Sequence, residues 1–263
     1  MTERVVRRRV HRWPGGAAED DTLAAEEPLE IRVEGESLAV TLRTPGDDLD
    51  LAAGFLYTEA VIDGPDDLAA LAHVRNPADP RDNTVDARLA AGVEAHRAAL
   101  DRAKRELYAT SSCGICGKAS IDRVHLGAPP LDRVAEVDPA LLRQLPARLA
   151  EAQAAFAQTG GLHAAGLFDL QGNLEVIRED IGRHNAVDKA LGHRLREGRL
   201  PVDDRILVVS SRAGFEIVQK ALVARVPLVA ALGAASSLAV DLARESRMAL
   251  VGFLRKDRFN RYA

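Results

Sequence analysis

Cysteine is nearly missing from this chain. Cys113 and Cys116 are its only two in 263 residues, so a secreted disulfide framework is excluded and reduced thiols are expected. An excess of charge of one sign is also lacking. The formal net charge is −4, which gives no global reason to expect nucleic acid. No run of about 18 uncharged apolar residues occurs, and no signal-peptide core follows the basic start. Repeats at a fixed period are absent as well. These absences lead to the expectation of a soluble cytoplasmic protein with neither a membrane nor a nucleic-acid partner. What the chain does have is length enough to bury a full core, as one large domain or as one with a smaller appendage.

The two cysteines sit three apart in the stretch 108–120, each followed by glycine, with Lys118 close behind. Gly114 and Gly117 remove side chains beside each sulfur, so the backbone can bend and a large substrate can approach. A nearby cation or backbone N–H groups lower a thiol's pKa and raise its thiolate fraction, which a nucleophile, a sulfur carrier or a metal ligand requires. A structural zinc site would need four ligands, and only distant histidines such as His163 or His184 remain to complete the set. A dithiol redox motif also fits the spacing. Inert buried cysteines would not need flanking glycines, so covalent sulfur chemistry without a metal stands beside the zinc and redox readings of the pair.

Along the chain, residues 1–28 are expected to form an N-terminal arm and linker: arginines at 4, 7, 8, 9 and 12, read as a solvated terminus ahead of the alternative of a basic strand, then glycines and the acids 19–21. Period-two alternation at 29–33 and 38–42 predicts a hairpin. Residues 47–62 have helical spacing, 83–89 alternate again, and 93–107 form a short helix or a connection into the cysteine segment. Residues 29–135 therefore make a β-rich N-terminal part that carries the Cys-x-x-Cys loop. In 136–263 the pattern changes. One amphipathic helix is predicted over 139–158, capped by Asp138 and started by Pro139. A hairpin follows at 162–178, then a helix over 183–196 stopped by Gly198, and apolar strands at 206–209, 227–232 and 249–254 alternate with helices at 215–224 and 236–248. That alternation predicts an α/β fold with a mainly parallel sheet covered on both faces.

A second polar constellation lies at 178–189, where the hairpin hands over to a helix. Gly182 permits a turn there, and Arg183, His184 and Asn185 fall at the helix N-terminus, where free backbone N–H groups favour an anion. Three further strand ends carry comparable loops: Ser210-Ser-Arg-Ala-Gly214, Gly233-Ala-Ala-Ser-Ser237 and Gly252-Phe-Leu-Arg-Lys-Asp-Arg258. Ligands of open α/β sheets bind outside the carboxyl ends of the strands, so these loops are expected to converge on a phosphate-rich ligand. Lys189, Arg212, Arg255 and Arg258 are its basic candidates, and Phe253 or Phe259 is placed to stack on a purine.

The run Cys113-Gly-Ile-Cys-Gly117, Thr159-Gly-Gly-Leu-His-Ala-Ala165, Glu179-Asp-Ile-Gly-Arg-His-Asn-Ala-Val-Asp-Lys189, Ser210-Ser-Arg with Glu216 and Lys220, and Val251-Gly-Phe-Leu-Arg255 resembles the formate dehydrogenase accessory sulfurtransferase family, FdhD. The resemblance implies a sulfur carrier. It would accept persulfide sulfur from a cysteine desulfurase and deliver it to the molybdenum (or tungsten) bis-guanine-dinucleotide cofactor, Mo-bis-MGD, before insertion into formate dehydrogenase. It also implies a three-layer α/β/α sandwich similar to the cytidine deaminase fold, and a homodimer. Cys113 falls on the family's persulfide cysteine and Cys116 on its second thiol. Its cofactor-binding segment falls on Phe253, Leu254, Arg255, Lys256, Asp257 and Arg258. GDP is the expected fragment ligand, since the cofactor ends in guanosine diphosphate units. The sequence departs from the family pattern at Ser211 and Gly214, and 233–237 lacks a proline. Deamination is disfavoured by the residues themselves, because His163 is followed by alanines rather than His-x-Glu and the Cys-x-x-Cys precedes it. The alternative is a cofactor-binding chaperone or a thiol redox protein without sulfur transfer.

Overall fold

Opposite charges facing each other turn the N-terminal stretch into a ribbon rather than an arm and linker. In the structure, a computed structural model that describes residues 3–76, 81–109 and 128–263, β1 (Val5–Arg12) pairs antiparallel with β2 (Ala17–Ala24). Arg8 lies across from Asp21 and Arg9 from Asp20, so the acids that looked like a linker are the cross-strand partners of the arginines. Gly15 and Gly16, both at positive φ, let the chain reverse between the strands.

The expected hairpin follows as β3 (Glu27–Val33) and β4 (Glu36–Arg43). Helix α1 (Asp48–Thr58) comes next. The Pro- and Asp-rich stretch after it contains strand β5 (Leu68–His73), whose burial is too irregular to leave an alternating pattern. With β6 (Thr84–Leu89) these strands make a four-stranded sheet in the order β4-β3-β6-β5, and α2 (Gly92–Ala109) packs across β4 and β6.

The single helix expected over 139–158 is three pieces: α3 (Pro139–Leu142), α4 (Leu145–Ala152) and α5 (Ala154–Thr159). Asp138 caps the first by accepting from the Ala140 N–H at 2.8 Å. Pro146 cannot sit inside a continuous helix and instead takes a place in the first turn of α4. The second break, at Gln153, is stabilised by the Glu179 carboxylate, which accepts from the N–H groups of Ala155 at 2.9 Å and Phe156 at 2.7 Å.

The C-terminal elements are β7 (His163–Asp169), β8 (Leu174–Asp180), α6 (Arg183–Arg196), β9 (Arg205–Val209), α7 (Phe215–Val223), β10 (Leu228–Ala231), α8 (Ser237–Glu245), β11 (Ala249–Gly252) and the short β12 (Asn260–Arg261). The sheet order is β12-β11-β10-β9-β7-β8. In this sheet only β9, β10 and β11 pair in parallel; β7 pairs antiparallel with β8 and β9, and β12 antiparallel with β11. The sheet is thus mixed rather than mainly parallel. The turn at 170–173 returns β8 against β7, while only the later strands are joined by helical crossovers.

Alternation in the strands sorts the core into two layers. Leu167, Leu207, Val209, Val229 and Leu250 face α6, α7 and α8, while Phe168, Ile206, Val208, Leu228 and Val251 face α3 and α4 through Leu142, Leu145 and Leu149. The result is the expected α/β/α sandwich. The N-terminal part joins it through α1, which crosses α6 very closely. A Cβ on Gly54 would lie 1.9 Å from the Asp188 carbonyl oxygen, and one on Gly192 1.9 Å from that of Asp50.

Candidate functional site at the strand-end edge

Sheet topology gathers the four polar loops at one edge, as the sequence predicts. Strands β9, β10 and β11 end there, β8 ends beside them, and antiparallel β7 begins there at His163. The loops are bonded to each other. The Gly233 N–H donates to Ser211 O at 2.9 Å, the Phe253 N–H to Gly233 O at 2.8 Å, and the Ser236 N–H to Ala213 O at 3.1 Å. Gly233 is required by this crossing, because a Cβ would lie 2.8 Å from the Arg212 backbone nitrogen.

Of the C-terminal candidates, Phe253 is 44% exposed, at φ 51°, and turns its ring outward. Arg255, Lys256, Asp257 and Arg258 are also exposed. The Arg255 N–H closes a turn onto Arg258 O at 2.8 Å, and its guanidinium donates to the Leu232 and Leu254 carbonyl oxygens at 2.6 and 2.8 Å. Leu254 is different: its side chain is fully buried, so it anchors the loop from below. Phe259 is only half-exposed and packs against the core layer under α3 and α4.

The constellation at 178–189 divides in the same way. Helix α6 starts where expected, with Gly182 as its N-cap, and Arg183 and His184 are half-buried at its first turn. His184 Nε2 lies 2.8 Å from Glu216 Oε2. Asn185 and Lys189 point inward instead. The Asn185 amide donates to Leu42 O at 2.8 Å and to Asp180 Oδ1 at 3.1 Å. Lys189, 1% exposed, puts its ammonium 2.7 Å from Asp180 Oδ2 and 2.7 Å from the Thr44 carbonyl oxygen. Burial pushes its pKa down against the pull of Asp180. These two residues fasten β4 and β8 to α6, and both are already engaged with protein partners. Arg212 is exposed on its loop. Cys113 and Cys116 lie outside the described residues.

His163, Ser210 and Glu216 complete the edge; the sequence reading has all three in its motif blocks, and Ser210 in a strand-end loop, without naming them individually as ligand contacts. The Ser210 hydroxyl accepts from the Ala164 N–H at 2.9 Å and lies 3.5 Å from His163 Nδ1. Burial, then the charges of Arg183 and His184, hold His163 below the usual imidazole range, with Asp180 pulling the other way. His163 is therefore a neutral imidazole at pH 7. The signals for it in the sequence are the motif Thr159-Gly-Gly-Leu-His-Ala-Ala165 and its place at the first residue of a strand on this edge. A second buried cluster lies farther from the edge: Lys220 donates to Thr58 and Glu59 at 2.8 Å and to Asp188 at 3.0 Å. Burial opposes the charge on Lys220, but Asp188 and Glu59 outweigh it and raise the pKa above the ordinary lysine value. The exposed part of the edge combines guanidinium and ammonium groups with an outward phenyl ring, a chemistry suited to a polyanion that carries an aromatic base.

The sequence profile of the FdhD/NarQ family matches residues 24–263. Over 98% of its length the chain is 50% identical to a protein of Streptomyces avermitilis named sulfur carrier protein FdhD, covering 93% of that protein. Its identity to the protein of the same name from Streptomyces coelicolor is 49%, with the same coverage of both chains. The fold is similar to the crystal structure of a putative formate dehydrogenase accessory protein from Desulfotalea psychrophila, with a TM-score of 0.71 at 22% identity, over 98% of this chain and 95% of that one. The match extends across the hairpin, the crossed helices α1 and α6 and the strand-end edge alike, and the chain belongs to the FdhD/NarQ family.

Proposed function

We propose that the protein is a sulfur carrier that takes persulfide sulfur from a cysteine desulfurase and passes it to Mo-bis-MGD, or its tungsten equivalent, before the cofactor enters formate dehydrogenase. The observation that carries this reading is half-identity, over nearly the whole chain, to proteins named as sulfur carriers, in a sequence whose only thiols form one Cys-x-x-Cys. The Cys113 thiolate attacks the terminal sulfur of the donor persulfide, forming a persulfide on Cys113 and releasing the donor's thiolate. Cys116 then attacks the inner sulfur of that persulfide. A Cys113–Cys116 disulfide forms and hydrosulfide leaves toward the metal, so the sulfane sulfur gains the two electrons that the thiols lose. The cofactor is the substrate, and its guanosine diphosphate ends suit the exposed Arg212, Arg255, Lys256 and Arg258 with Phe253 as the stacking surface. The carrier works in the cytoplasm as a homodimer in this reading.

Intact-mass analysis after incubation with a desulfurase and cysteine tests it. Wild-type protein should gain the mass of sulfur and Cys113→Ala should not. Equal loading of that variant removes Cys113 from the role. An active, normally sulfurated formate dehydrogenase matured by Cys113→Ala would leave a cofactor-binding chaperone as the function.

A further inference from the structure

Helices α6 and α7 meet along a seam of two charged rungs. His184 and Asp188 lie four residues apart on α6, as Glu216 and Lys220 do on α7, so each pair shares one face of its helix. The inner rung is buried and closed. Asp188 Oδ2 lies 3.0 Å from the Lys220 ammonium, and Thr58 and Glu59 at the end of α1 each accept from it at 2.8 Å. The outer rung brings a similar pairing to the strand-end edge. His184 Nε2 is 2.8 Å from Glu216 Oε2, their side chains are 31% and 21% exposed, and both residues stand in the first turn of their helices. The other ring nitrogen of His184, Nδ1, has no partner among the described residues.

Charged groups reach this end of α6 from each element packed on it. Arg183 precedes His184, β7 brings His163, β8 brings Asp180, α7 brings Glu216, and the loop 210–214 carries the exposed Arg212. Asp180 is matched by Lys189, while Asp188 and Glu59 share Lys220. Glu216 is thus a carboxylate set at an edge otherwise suited to anions, and it is the one that touches His184.

A ligand phosphate on the Nδ1 side of that ring would face Glu216 across it. With a neutral imidazole between them, two anions repel and the phosphate meets either a lone pair or an uncharged donor. An imidazolium donates to both at once, through Nε2–H to Glu216 and Nδ1–H to the phosphate, and both hydrogen bonds are then charge-assisted. Filling the site therefore favours a ring that has taken a proton from solvent. His163 is unsuited to this, because burial opposes its charge.

We propose that His184 and Glu216 form a proton-linked grip on the diphosphate of the ligand: Glu216 is a positioning residue that holds the ring by Nε2, Nδ1–H donates to a phosphate oxygen, and binding takes up a proton that release gives back. This rests on the reading above that the ligand ends in guanosine diphosphate. The test is calorimetric titration of the full-length protein with GDP at about pH 7.5, in two buffers of different ionisation enthalpy, so that the difference in heat counts the protons taken up. Wild type should take up protons. His184→Gln should bind GDP about tenfold more weakly and take up none. Glu216→Gln keeps the shape and loses the charge, so its affinity relative to wild type should fall at about pH 7.5 and recover at about pH 6, where an imidazole is protonated without help. Thermal melting separates loss of the grip from loss of the fold, and the isosteric Glu216→Gln carries the test if His184→Gln melts early. Equal wild-type heats in the two buffers overturn the grip and leave GDP as the ligand. Uptake that persists in His184→Gln overturns it as well, and so does a Glu216→Gln affinity that stands in the same ratio to wild type at both pH values. A wild type that binds no GDP removes the ligand reading together with the grip, and persulfide loading of Cys113, which needs neither, then decides the carrier reading separately.

Discussion

His163 shows how much of the site is decided by what surrounds a side chain. Burial, Arg183 and His184 all oppose its protonation, so its imidazole should titrate below the ordinary histidine value of about 6.5 and be neutral at pH 7. Two-dimensional NMR of the ring nitrogens should find that midpoint, and Arg183→Ala should move it up without restoring it fully, since burial remains the largest cause. The sign for stability follows from linkage. The unfolded chain takes up this proton first as pH falls, so the contribution is fully present above about 6.5 and is lost as pH drops through the folded midpoint. His163→Gln should flatten that part of a stability–pH curve, and an unchanged slope would contradict the assignment. Asn185 and Lys189 teach the converse. Their motif marks them as ligand residues, yet Asp180 and the backbone of β4 occupy them. Residue type alone does not say whether a polar group faces solvent or a buried partner.

At the scale of elements, the crossing of α1 and α6 is the tightest constraint. Gly54→Ala and Gly192→Ala each drive a methyl group into a backbone carbonyl at 1.9 Å, and a carbonyl on a neighbouring helix cannot turn aside as a side chain would. Each substitution should cost about 1–3 kcal/mol or more, read as a lower urea midpoint. Midpoints within error of wild type would mean that the helices separate freely. Most elements were legible from the sequence, and α6 ends where its pattern says, with Gly198 at positive φ. The exceptions have a common cause. The break at Gln153 depends on Glu179, two elements away; β2 depends on charges across a ribbon; and β5 depends on β6. Periodicity reports a local repeat, while these elements are stabilised by partners distant in sequence.

Across the whole molecule, one apolar cluster joins Val33, Leu38 and Leu89 of the N-terminal sheet to Leu167, Leu207 and Val229 of the sandwich. Polar ties reinforce it: Asp50 on α1 meets Arg178 of β8 at 2.7 Å, Arg196 of α6 at 2.5 Å and His193 at 3.3 Å. The two sheets should therefore unfold together. Calorimetry should give one transition with calorimetric and van't Hoff enthalpies in agreement, superimposable on far-UV circular dichroism. Two separated transitions would show that the N-terminal sheet is independent. Trp13 fluorescence should change little through that transition, because the indole is already 79% exposed in the folded state.

The sequence by itself determined the α/β class, the order of strands and helices in the C-terminal half, the four loops of the strand-end edge and the family. These follow from hydrophobic period, turn residues and motif spacing, all of which are local. Only the tertiary structure decided that the sheet is mixed, that the arginine-rich start is a ribbon, that Lys189, Asn185 and Leu254 anchor the edge from within, and that His163 stands beside Ser210 and Glu216 beside His184 on it. Each of those depends on a pairing between residues far apart in the chain, and such a pairing leaves no repeat in the sequence around either partner.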